Sequence, residues 1–412
     1  MTTTTITTTI DLVRAHAGAA VLLGLLGCGH AAAPVADHPR SPLGDLVVRA
    51  GSETSLYADT DHVTVVTPTV SVGVENPLSG WSAFGSYLVD VVTAASVDIV
   101  ATATPPWREA RHVVSGSAGY KSGDLGGQLQ ASSSVEPDYR SLTLGGNTSL
   151  DLLQKSVTLL LGYSYGSDTA GRSTTPFEVF SRSLARHTIN AGATLVVNRS
   201  TLVTAVLDTI VERGDQAKPY RYVPMFAPGT GRSVPVGASI ELVRSLMTHE
   251  RPLERLPLSR ERFALTGRLA HRFKNSTLRL EERLYVDSWG LRASTSDAHY
   301  LFDFTERLSF DPRVRVHLQD GVGFWRRAYE VAVGADGPLA TPALRTGDRE
   351  LGPLRSFTGG IGAHCDLSDR PGARRWVLSL QADSVLTQYL DALYIRHRNA
   401  YFFALSLDAV FE

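Results

Sequence analysis

Hydrophobic side chains recur at every second position through most of this chain. Between Val66 and Val74 the even positions carry Val66, Pro68, Val70, Val72 and Val74, while the odd ones carry Thr67, Thr69, Ser71 and Gly73. A period of two marks a strand with one apolar and one polar face. The same alternation returns at Trp81 to Val91, with Phe84 and Leu88 out of step, and again at Val157 to Tyr165, Ile189 to Val197, Phe263 to Phe273 and Tyr401 to Phe411. No segment after the N-terminal leader has a comparably long 3.6-residue period. The runs are about 10 to 15 residues, the length a tilted strand needs to cross a bilayer, whereas soluble sandwiches use strands nearer five or six. Aromatics mark their ends: Trp81, Tyr163, Tyr165, Phe263, Phe273, Tyr300, Phe310, Trp325, Trp376, Tyr401 and Phe411. Rings at both edges of an apolar band are the interfacial girdles of an outer-membrane barrel.

Connections set the strand count. Short links are expected at Asn76 to Gly80, Ser122 to Gly123, Asp151 to Gln154, Asn198 to Ser200, Lys274 to Ser276, Asp311 to Pro312 and Ser368 to Gly372. Long ones are expected at 93–106, 169–183, 213–258, 328–351 and 389–398. Periplasmic turns of bacterial barrels are short and external loops long. Placing every short link on one side predicts an all-β fold, an antiparallel transmembrane β-barrel of about sixteen strands over residues 45–412. That count takes 45–57 as the first strand and Asp59 to Asp61 as a tight external turn; if that strand is not formed, the even-numbered fallback is fourteen. Within 213–258, Glu241 to Met247 predicts a short helix.

The leader supplies an address. Residues 1–33 read as a signal peptide, because the apolar centre from Ala19 to Leu26 is too short to span a bilayer, and 34–44 as a linker. Leu25-Leu26-Gly27-Cys28 has the spacing of a lipoprotein box with Cys28 as the lipidated residue, while Gly29-His30-Ala31 suits ordinary cleavage, and both routes stay open. Export to the Gram-negative outer membrane follows. Only about 20 residues separate the leader from the first strand pattern, too few for the plug domain of a TonB-dependent transporter.

Charge and cysteine usage remove other classes. Forty Lys and Arg balance 41 Asp and Glu for a formal net charge of −1, so no basic excess supports nucleic-acid binding. Two cysteines exclude a disulfide scaffold, and neither lies in a zinc-ligand pattern, so no metal or cofactor is expected. Gly145-Gly146 and Gly359-Gly360-Ile361-Gly362 lie in strand patterns and read as thin positions or bends rather than phosphate loops. No Ser, His and acid triad stands out by spacing among the 12 histidines, so the protein is not expected to be an enzyme.

Two stretches carry a family resemblance. The run from Ser86 to Asp98, containing Tyr87, Asp90 and Asp98 and followed by Arg108-Glu109-Ala110-Arg111-His112, resembles a pattern of the Gram-negative family filed as domain of unknown function 3570. Arg283-Leu284-Tyr285-Val286-Asp287-Ser288-Trp289-Gly290 is similar to the same family's aromatic, Asp, Trp-Gly motif. The resemblance implies an outer-membrane β-barrel and no particular activity. It makes Tyr87, Asp90, Asp98, Arg111, His112, Tyr285, Asp287 and Trp289 residues of the external rim.

On the polar parity, Arg262, Arg268, Arg272, Arg279, Glu281, Arg283, Asp303, Arg307, Arg313 and Arg315 form a largely cationic stripe facing the lumen. As a pore wall it would favour small polar or anionic solutes. As a set of cross-strand ion pairs it would only brace the interior, and a charge run is more often that. Glu282, Glu306 and Asp320 fall on the lipid-facing parity, where charge is costly. The favoured function is a porin-like channel or transport component whose partners are outer-membrane lipid, the barrel-assembly machinery during biogenesis, and solutes. Its rivals are a sealed barrel with a structural or surface role, a barrel enzyme acting on lipid or envelope polymer, and a secreted soluble sandwich.

Overall fold

A computed structural model describes residues 45–92, 109–332, 340–368 and 374–412. The leader with Cys28, and Asp98, lie outside them. Nine long strands come first: β1 (Val47–Asp59), β2 (Thr64–Asn76), β3 (Trp81–Val92), β4 (Glu109–Ser122), β5 (Leu125–Glu136), β6 (Tyr139–Leu152), β7 (Val157–Ala170), β8 (Arg182–Asn198) and β9 (Thr201–Gly214). A two-residue strand β10 (Met225–Phe226) and a short helix α1 (Ile240–Leu246) interrupt the series. Then follow β11 (Ser259–Arg272), β12 (Ser276–Asp287), β13 (Arg292–Asp303) and β14 (Leu308–Gln319), the two-residue β15 (Tyr329–Glu330), and β16 (Leu354–Asp366), β17 (Arg374–Tyr389) and β18 (His397–Phe411). The sixteen long strands close into one antiparallel barrel. β1 pairs with β18 from Val48 opposite Phe411 to Asp59 opposite Ala400, which leaves no free edge.

Alternation decides which side chains meet lipid. Leu56 of β1, Val66 of β2 and Val91 of β3 share one register row on the outside, and Leu207, Leu265 and Leu284 share another. Leu129 is 72% exposed and Val314 60%, and with their neighbours they make the outward face a continuous apolar belt suited to a hydrocarbon phase. Trp81 opposes Tyr120, and Phe302, Phe310, Trp376 and Phe411 join them at the rim where the short links lie. Trp376 and Phe411 meet edge to face at 5.9 Å. Phe84 and Leu88, out of step in the outward series, simply point inward.

Two expectations need correction. Asp311 and Pro312 are not a turn: they lie inside β14, and the link is at 304–307, closed by the Leu308 amide donating to Thr305 Oγ1 at 2.9 Å. The ladder between β13 and β14 skips Tyr300 and Leu301, which stand opposite Pro312 and Asp311 in turn, whereas β16 pairs without a break through Pro312 opposite Ile361. The missing proline N–H therefore interrupts pairing on one side only. This moves Glu306 and Arg307 into a turn, off the strand faces, and Asp320 lies just beyond β14, so of the three acids only Glu282 faces lipid, hydrogen bonded by Ser296 Oγ. Trp325 belongs to no girdle. It is buried in the connection between β14 and β16, its Nε1 donating to the Asp391 carbonyl at 3.1 Å.

The long connections among the described residues emerge at the rim opposite the short turns; the expected long link 93–106 and most of the expected short link Ser368 to Gly372 lie outside the described residues. The largest, 215–258 and 320–353, fold on each other. β10 pairs parallel with β15, Met225 opposite Tyr329 and Phe226 opposite Glu330. Val223, Met225, Tyr329 and Val331 form one buried cluster; Phe226, Val234, Ala238 and Val243 form another. Helix α1 opens on Ser239, whose Oγ accepts from the Leu242 amide at 3.2 Å.

Candidate functional site: a capped polar lumen

Inside the barrel two walls differ. From β2 to β7 the inward row is mostly small and neutral: Thr69, Ser71, Ser86, Ser132, Gln128, Thr143 and Asn147 are typical. Hydrogen bonds between neutral groups join it across strands, as from Asn147 Nδ2 to Gln128 Oε1 and from Gln128 Nε2 to Ser117 Oγ, each 3.1 Å. From β9 to β17 the row is charged, and acids accompany the arginines. Arg262 meets Glu212 at 2.6 Å, Arg268 meets Glu281 at 2.5 Å, Arg283 meets Asp208 at 3.0 Å and Arg315 meets Asp297 at 2.7 Å. Arg272 pairs with Asp303 near the periplasmic rim. His299 Nε2 lies 2.8 Å from Asp297 and its Nδ1 3.1 Å from Asp311.

Glycine makes one of these pairs possible. Arg313 on β14 reaches Asp383 on β17 across β16, where Gly360 stands opposite both. A Cβ at Gly360 would lie 1.8 Å from Asp383 Oδ1, so the thin position is a passage for the ion pair. Among the described residues Arg279, exposed in the row with Ala270 and His299, makes no ion pair or hydrogen bond. The stripe is therefore close to charge-balanced apart from that residue, and Arg307 is not part of it.

The family-like motifs divide between the two faces. Tyr87 and His112 point outward, the hydroxyl 2.8 Å from Nδ1, and Tyr163 with His187 repeats the contact at 2.8 Å. These belong to the outer girdle. Asp90 and Arg111 point inward: Thr67 Oγ1 donates to Asp90 at 2.5 Å, and Arg111 Nε donates to Ser134 Oγ at 3.1 Å. In the second motif Asp287 closes the turn between β12 and β13. Its Oδ1 accepts from the Trp289 and Leu291 amides at 2.9 and 3.0 Å, while Tyr285 and Arg260 donate to Oδ2. Arg260 stacks 4.3 Å over the Trp289 ring, and Gly290 takes the left-handed φ of +88° that the tight link needs.

The two folded connections cover the external mouth and grip its rim at several points. Arg349 pairs with Asp61 of the β1–β2 turn at 2.5 Å. Glu350 accepts from Tyr389 at 2.7 Å and from Arg398 at 3.2 Å. Trp325, Leu256 and Ala217 pack on Trp289 and Leu291, and Tyr220 donates to Asp138 of the β5–β6 turn. Between the connections Arg221 lies 2.7 Å from Asp348 and 3.5 Å from Glu254, and Thr346 Oγ1 donates to Glu254 at 2.5 Å. Burial pushes the Glu254 carboxyl up, against the pull of Arg221. Sequence reasoning missed this cap, since its apolar residues follow no period.

A family described as "Protein of unknown function (DUF3570)" matches residues 60–377. The chain belongs to that family. No curated protein matches it. Among solved structures it is similar to the siderophore receptor PirA from Acinetobacter baumannii at 10% identity and a TM-score of 0.40, over 83% of this chain and 53% of that one. It is likewise similar to the outer membrane protein opdK from Pseudomonas aeruginosa, at 8% identity, TM-score 0.42, over 89% and 99%. The chain spans about half the length of the PirA receptor. As a closed barrel with an apolar belt and aromatic girdles, this member of the DUF3570 family is an outer-membrane protein.

Proposed function

We propose that this DUF3570 protein is a porin-like channel for small polar solutes, held shut from outside by its two folded connections. The observation that carries the reading is the wetness of the charged wall: the Arg283 side chain keeps 38% of its surface exposed while paired with Asp208. Sixteen strands leave an aqueous bore where inward side chains are small, as they are from β2 to β7. Because nearly every lumen cation has an acid beside it, the bore discriminates weakly by charge, so polar solutes fit it better than anions in particular. This reading assigns no catalytic role, and it makes lipid the partner of the outer face and the assembly machinery a partner in biogenesis.

A sealed barrel is the second reading, favoured by the apolar packing of the cap. Planar-bilayer conductance separates the two. A variant with 217–256 replaced by a short Gly/Ser linker is expected to fold, to keep heat-modifiable gel migration, and to conduct far more than the intact chain. If the folded variant passes no ions, the barrel is sealed below the cap and the channel reading fails.

A further inference from the structure

Three carboxylates from separate elements converge at the external rim, on the lumen side of the neutral wall. Glu109 opens β4, Glu136 ends β5 and Asp138 sits in the link to β6; one oxygen of each lies within 4.8 Å of the others. Two bonds of calcium's length on opposite sides of one ion span roughly 4.6–5.2 Å, so such oxygens can share a cation. Glu136 and Asp138 are buried. Arg111 lies 3.9 Å from Glu136 and is turned also toward Asp90 at 3.8 Å.

A separate observation points to a ligand. Asp138 is 1% exposed, and its Oδ1 is buried without any hydrogen-bond partner, although Tyr220 donates to the other oxygen at 3.4 Å. A buried carboxylate oxygen left unpaired costs more than one never buried, and in native structures such an atom normally has an ion or water to meet. We propose that Glu109, Glu136 and Asp138 bind a hard divalent cation of the calcium class at the external rim. The ion would sit where the cap, through Tyr220, meets the β5–β6 turn. Backbone oxygens and water would complete a coordination shell larger than three side chains supply. The site is independent of whether the barrel conducts.

Equilibrium dialysis of the folded, detergent-solubilised protein against calcium tests this directly. The intact chain is expected to take up one calcium with the affinity of about 10⁻⁴–10⁻³ M seen in extracellular modules. Asp138→Asn and Glu136→Gln, each checked for heat-modifiable migration, are expected to weaken it by roughly ten-fold or more, as loss of a charged ligand does. No uptake by the intact chain at millimolar calcium overturns the proposal. So does uptake that persists unchanged in both folded variants.

Discussion

Ion pairs in the cap and ion pairs in the wall use the same side chains under different solvent conditions. Arg349 and Asp61, where the cap meets the β1–β2 turn, each expose 4% of the side chain; Arg283 and Asp208, halfway along the lumen, expose 38% and 18%. Breaking a buried pair by removing one partner strands a charge and costs several kcal/mol, whereas an exposed pair is worth about 0–1 kcal/mol because water replaces it. The grip of Arg349 on Asp61 is dry and the Arg283 pair is wet, although the wall also holds drier pairs such as Arg313–Asp383. Closure at the mouth is therefore a matter of stability, while the wall sets what an open bore would let pass.

The largest effect expected from that contrast is at the cap. Arg349→Ala leaves Asp61 buried without its partner and also removes the cation stacked on Tyr389, at a cost of roughly 3 kcal/mol. Because the strand ladders are untouched, the loss should appear as faster proteolysis of 320–353 and higher conductance, with heat-modifiable migration intact. Unchanged protease resistance would show that the apolar clusters hold the cap without the ion pair.

Gly360→Ala is next, and it sharpens the contrast, since the Arg313–Asp383 pair is the drier kind set within the wall. The added methyl takes the place of Asp383 Oδ1, so either the pair opens or β16 shifts. A loss of about 1–3 kcal/mol is expected, the usual range for forcing extra atoms into a packed site. Denaturant titration of the folded barrel measures it, and Gly359→Ala is the control, because nothing lies within 4 Å of a Cβ there. Equal effects at the two glycines would remove the passage role of Gly360.

What could be read in advance divides along the same line. The wall was legible because each strand meets lipid on one side and water on the other, so every second residue reports its environment; hence the sixteen strands, the tight turn after β1 and the external placement of Trp289. Asp311-Pro312 misled because a local turn signal was overridden by pairing with β16 along its whole length. The cap was illegible for a different reason. Val223, Phe226, Val234 and Val243 are buried by loop packing that imposes no period, and the partners are distant in sequence: Tyr329 and Val331 for Val223, Ala328 and Leu393 for the other three. The acidic group at the rim was hidden likewise, since Glu109 meets Glu136 and Asp138 only through strand pairing.

The smallest effect belongs to the wet pair, and it is the one that reports on permeation. Asp208→Asn removes the acid facing Arg283 but keeps an amide that Arg283 and Asn190 can still contact. Stability should change by less than about 1 kcal/mol, as for other exposed pairs. In the cap-deleted barrel the freed guanidinium adds to the unpaired Arg279, so reversal potentials in a salt gradient should move toward anion preference. An unchanged reversal potential would mean that ions do not pass this part of the wall, and that the charged row braces the barrel without filtering anything.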